Sequence, residues 1–79
     1  KLLNLPYSNP QRALTNRQRE VLEWVSDGKT IQDIATLMGR TTATVEKHLR
    51  LARESLGVET TAQAVLKATF LNQIFTVEG

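Results

Sequence analysis

The sequence predicts an all-α domain of four helices, and three features predict it. Threonines stand at helix-start positions ahead of apolar runs, the apolar residues in those runs recur at three- and four-residue intervals, and a glycine follows each of the first three runs. Together these are the start signal, the period and the stop signal of an amphipathic helix.

The first helix is expected to start at Thr15, because Thr15 and Gln18 form a capping box: the hydroxyl accepts from the third helical N–H and the glutamine reaches back. Val21, Leu22 and Val25 then share a face with Trp24 at its edge, and Gly28 supplies a left-handed stop. Thr30 and Asp33 repeat the capping pattern ahead of a stripe of Ile31, Ile34, Ala35 and Met38, which Gly39 closes. Thr41 is the expected N-cap of a third helix in which Val45, Leu49, Ala52 and Leu56 face inward and Gly57 ends the run. A fourth helix is expected from Thr60 or Thr61 to about Ile74. The four pack as a bundle.

Residues 1–13 hold both prolines and no sustained period, so they read as an interdomain linker or arm, with the domain itself over 14–79. At 79 residues the chain has room for one small domain. The only methionine is Met38, so the sequence reads as a fragment of a longer chain, from which any ligand-sensing part is absent. The absence of cysteine excludes disulfides, thiolate zinc sites and thiol catalysis, and fits a cytoplasmic location. With one histidine and no matched nucleophile, phosphate loop or carboxylate cluster, neither an enzyme, a metal nor a cofactor is expected. No apolar run approaches the ~18–20 residues of a membrane span. The formal charge is only +2, yet residues 40–53 carry four bases and one acid, so the positive excess sits in the middle.

Helices two and three are joined by "GRT", a short glycine-containing turn suited to a helix-turn-helix, whose second member enters the DNA major groove. At 100° per residue, Ala43, Glu46, Lys47, Arg50 and Arg53 spread over the side opposite the apolar stripe. Glu46 and Arg50 are spaced as an ordinary i,i+4 surface ion pair. In a reading helix the same residues have another use: arginine and lysine can bond guanine O6 and N7, and glutamate can accept from cytosine N4. Glu46, Lys47 and Arg50 are therefore the candidate base-contacting residues. Thr42 and Thr44, in the first turn, together with Lys29, Thr30, Arg40 and Arg53, are the candidate phosphate contacts. His48 points toward the edge of the core, and Trp24 reads as a core residue rather than a base-stacking platform.

The fourth helix has two apolar stripes, Ala62, Val65, Leu66 and Thr69 on one side and Ala64, Ala68, Leu71 and Phe75 on another. One stripe covers the domain and the other is left over, which marks an association surface. Ala64, Ala68, Leu71 and Phe75 are taken as the dimer interface. A two-fold dimer on double-stranded DNA would place two reading helices about one turn (~34 Å) apart on a pseudo-palindromic site.

The run "LTNRQREVLEWVSDGKTIQDIATLMGRTTATVEKHLRLARESLGVETTAQAV", residues 14–65, resembles the DNA-binding domain of the LuxR family of bacterial transcription regulators. The carrying motifs are "LTNRQREVL", "GKT" with the following "IA" and "MG", "TTATVEKHL", "LGV" and "QAV", in order. The resemblance implies a four-helix fold with a helix-turn-helix, a third helix that reads DNA and a fourth that commonly supplies dimer contacts. It places base-reading positions at Glu46, Lys47 and Arg50, and phosphate positions near Lys29, Thr30, Thr42 and Thr44. The "EVLEW…GKT" block, with Trp24 where response regulators more often carry an aliphatic residue, is similar to the quorum-sensing branch. In that branch an acyl-homoserine lactone is bound by an N-terminal domain outside this sequence. Departures from the family pattern are Gln18, Arg40, Ser55 and Thr61, and the acid at Glu46 implies a distinct target sequence. The competing readings are the output domain of a response regulator, or a protein-interaction module that uses the fourth helix.

Overall fold

The computed structural model describes residues 14–71, which form four α-helices and no strand: α1 Asn16–Ser26, α2 Ile31–Met38, α3 Thr42–Leu56 and α4 Thr61–Phe70. Each helix begins where a threonine can cap it. Thr15, Thr30, Thr41 and Thr60 are the N-caps, each in extended backbone with its hydroxyl accepting from the backbone N–H three residues on. In α1, α2 and α4 the box is completed by Gln18, Asp33 and Gln63, whose side chains accept from the cap's own N–H. Such a cap is worth about 1 kcal/mol over alanine.

Gly39 and Gly57 end α2 and α3 in the left-handed region, at φ 67° and 70°. Nothing lies within 4 Å of the place a β-carbon would take, so backbone conformation, not space, requires glycine there. The chain leaves both helices in the same way. Arg40 N–H donates to the Ala35 carbonyl and Val58 N–H to that of Arg53, so the last turns are closed by backbone bonds. The first of these exits sets the tight turn between α2 and α3.

The core is one cluster: Leu14, Val21 and Leu22, Ile34 and Ala35, Val45, Leu49, Ala52 and Leu56, with Ala64 and Ala68 from α4. Val25, Ile31, Met38, Val58, Val65 and Trp24 are partly buried against it. α3 packs on α1, α2 and α4, and so lies centrally with one face enclosed. Full burial of each Leu, Val or Ile is worth about 1.5–3 kcal/mol, and Val21, Leu22, Ile34 and Val45 are wholly enclosed.

Two expectations are corrected in α4. Ala64 and Ala68 are completely buried within the chain, so they hold α4 to its own domain and cannot face a second copy. Their small side chains let α4 lie close to the bundle, whereas Leu66 and Phe70 project outward at 72% and 84% exposure with Leu71 beside them at 46%. The helix also ends sooner than expected, with Leu71 as its C-cap. Phe75 and Ile74 lie outside the described residues, as do residues 1–13.

Candidate nucleic-acid interface

α3 is 15 residues long, about 22 Å at 1.5 Å per residue. Its buried positions are Val45, Leu49, Ala52 and Leu56, and this stripe fixes the helix's rotation about its axis. The opposite side is therefore forced outward. Ala43, Glu46, Lys47 and Arg50 are exposed, and with Leu49 and Arg53 they line one shallow, open concavity along the helix. The three candidate base-contacting residues are thus brought together on one surface.

Their charges are arranged differently from the simplest i,i+4 expectation. Arg50 pairs with Glu54, Nη1 to Oε2 at 3.4 Å, and not with Glu46. Glu46 and Lys47 make no ion pair or side-chain hydrogen bond among the described residues. Sequence reasoning does not single out Glu54, which stands four residues after Arg50 at the same spacing as Glu46 before it.

The N-terminus of α3 differs from the others. It alone of the four has no capping box, and like α1 and α4 it has no acid in its first turn. Thr41 Oγ1 accepts from Thr44 N–H at 3.2 Å and its hydroxyl donates to Thr44 Oγ1 at 3.0 Å, which leaves the Thr44 hydroxyl proton to be given elsewhere. Thr42 and Arg40 are exposed beside it. Positive helix-dipole charge and unpaired N–H groups at this end favour an anion.

The remaining candidates are placed apart or already engaged. Arg53 is half-buried, and its Nη1 donates to Thr61 Oγ1 at 3.1 Å, tying α3 to the start of α4. Lys29 is exposed, loosely paired with Asp27 at 4.0 Å, and lines a second concavity with Trp24, Asp27, Asp33, Thr36 and Leu37. Thr30 is used by its helix, its Oγ1 accepting from Asp33 N–H at 3.1 Å while Asp33 Oδ2 accepts from Thr30 N–H at 3.2 Å. Lysine and threonine here sit among carboxylates, a weaker field for phosphate than the start of α3. His48 is half-buried, and Trp24 is packed on the core with its Nε1 buried and unbonded.

The last turn of α3 is held from α4, where Lys67 Nζ donates to the Leu56 carbonyl at 2.8 Å. A cation at a helix C-terminus meets carbonyls that have no partner within the helix. Lys67 therefore has a structural use, as the one base of α4. Among the described residues no group of three or more His, Cys, Asp or Glu could hold a metal ion, and no helix is long and apolar enough to cross a membrane.

Comparison with known proteins gives this arrangement a context. The model of the family "Bacterial regulatory proteins, luxR family" matches residues 12–68, which include all four helix starts and the whole of α3. The chain belongs to the LuxR family. Its fold is that family's helix-turn-helix, and the chain is a DNA-binding domain of the type found in transcriptional regulators. It is similar to the transcriptional activator protein AhyR of Aeromonas hydrophila, 40% identical over 65 residues, covering 82% of this chain and 25% of that protein. It is also similar to the transcriptional activator protein AnoR of Acinetobacter nosocomialis, 36% identical over 72 residues, covering 90% of this chain and 30% of the relative. The chain thus spans about a quarter to a third of the length of these curated relatives. The solved structure of the transcription factor GerE superposes with a TM-score of 0.75 at 27% identity, over 78% of this chain and 92% of GerE.

Proposed function

We propose that this LuxR-type domain binds double-stranded DNA sequence-specifically, with α3 lying in the major groove and Glu46, Lys47 and Arg50 reading base edges. The observation that carries the reading is the division of α3 into two faces. Val45, Leu49, Ala52 and Leu56 are enclosed, and among the described residues the concavity on the outward side carries Glu46, Lys47, Arg50 and Arg53, side chains able to hydrogen-bond bases or phosphates. Thr42, Thr44 and Arg40 at the start of α3 take backbone phosphates, with Arg53, Lys29 and Thr30 as outlying contacts.

Exposed Leu66, Phe70 and Leu71 support a homodimer formed on DNA through α4, in place of the enclosed Ala64 and Ala68. An isologous contact of this kind predicts a pseudo-palindromic site. The domain division, with a linker over 1–13 and the DNA-binding unit from 14 onward, belongs to the same reading. So does its place in a cytoplasmic quorum-sensing regulator whose acyl-homoserine lactone is bound by another domain. The matched relatives are named transcriptional activators, which supports activation as the output.

Selection from a randomised duplex pool tests the proposal. Enrichment of a two-fold symmetric sequence with half-sites about one DNA turn apart is expected; a pool that remains random after repeated rounds contradicts it.

A further inference from the structure

Arg50 stands one helical turn from an acid on either side, Glu46 before it and Glu54 after it, and its guanidinium lies on Glu54. The intrinsic preference of a helix runs the other way. An acid four residues N-terminal to a base makes the better pair, because that order agrees with the helix dipole. The observed choice leaves the Glu46 carboxylate unpaired on the concavity that it shares with Lys47 and Arg50. Glu54 itself does not line that concavity.

Resting on the DNA-reading role of α3 argued above, we propose that Glu54 is a positioning residue for specificity, holding Arg50 away from Glu46 so that acid and base address separate base pairs. A Glu46–Arg50 pair would occupy the carboxylate oxygens that cytosine N4 needs and two of the N–H groups that guanine needs. Such a pair is self-satisfied and reads nothing. With Arg50 drawn one turn toward Leu56, the carboxylate is free to exclude wrong bases and the guanidinium has its own target. Glu54 also repels phosphate, so its removal strengthens contact with any DNA, and the test must separate the two effects.

The 79-residue chain, titrated with a duplex taken from the selection and with its scrambled counterpart, supplies the measurement. Glu54→Gln is expected to tighten binding to the scrambled duplex more than to the selected one, narrowing the ratio of the two Kd values by about three-fold, the scale of an exposed ion pair. In a panel of single base-pair changes, the lost discrimination should fall on the positions that Arg50→Ala and Glu46→Gln also affect. In an Arg50→Ala background, Glu54→Gln should leave the ratio unmoved. Glu54 is exposed, and an unchanged circular dichroism spectrum confirms folding of each variant. Equal tightening on both duplexes, or the same narrowing without Arg50, overturns the positioning role while leaving DNA reading by α3 intact. A wild-type chain indifferent to the two duplexes overturns the DNA-reading proposal and this inference with it.

Discussion

Lys67 Nζ reaches across from α4 to the backbone carbonyl of Leu56 at 2.8 Å, so the last turn of α3 is capped by a side chain from the next helix. A cap of this kind satisfies an unpaired carbonyl and places positive charge at the negative end of the dipole. It joins the candidate association helix to the candidate reading helix.

Lys67→Met keeps most of the aliphatic stem and removes the donor. A loss of about 1 kcal/mol is expected, which for a domain of this size lowers Tm by about 4–8 °C. Thermal unfolding followed by circular dichroism measures it; an unchanged Tm would mean that water satisfies the carbonyl equally well.

The two faces of α4 should respond in opposite ways. Ala64→Leu forces three more carbons into an enclosed position and should cost about 1–3 kcal/mol of stability. Phe70→Ser, at a position 84% exposed, should leave stability within about 0.5 kcal/mol. It should nevertheless weaken binding to a two-half-site duplex while sparing a single half-site. Parallel denaturation and gel-shift titrations check both, and a destabilised Phe70→Ser would show that this ring packs on its own domain.

The helix starts were legible in the sequence because capping is local. Thr15 with Gln18, Thr30 with Asp33 and the Thr41 hydroxyl act within one turn, and the structure forms each of these contacts. The inward stripe of α3 was legible for a related reason: Val45, Leu49, Ala52 and Leu56 leave only one way to rotate the helix. The orientation of α4 was not. Two apolar stripes are equivalent on a helical wheel, and what distinguishes them is tertiary: alanines small enough for close approach, and a lysine whose acceptor lies 11 residues away. Arg50 had carboxylates at equal spacing on both sides, so spacing could not choose its partner. Thr61 is legible only as a departure from the family pattern, and its use as the acceptor for Arg53 needs two helices to be brought together.

Thr61→Val is nearly isosteric and removes that acceptor. Stability is expected to fall by roughly 0.5–1.5 kcal/mol, as for a typical intramolecular hydrogen bond. Urea unfolding measures the change, and Arg53→Met combined with Thr61→Val should add little to either variant alone, since both break the same contact.

Lys29 does not line the α3 concavity and stands beside Asp27, so its expected contribution to DNA binding is through charge. Lys29→Ala should weaken selected and scrambled duplexes by the same factor and reduce the slope of log K against log salt by about one. Titrations at several salt concentrations check this, and a loss confined to the selected duplex would instead make Lys29 a base reader.

The most direct measurement is the affinity of Arg50→Ala for the selected and the scrambled duplex at one moderate salt concentration. If α3 reads bases, the selected duplex loses about 1–3 kcal/mol more than the scrambled one, the scale of a bidentate arginine–guanine contact. Equal losses on the two duplexes would make Arg50 a phosphate neutraliser and contradict the account.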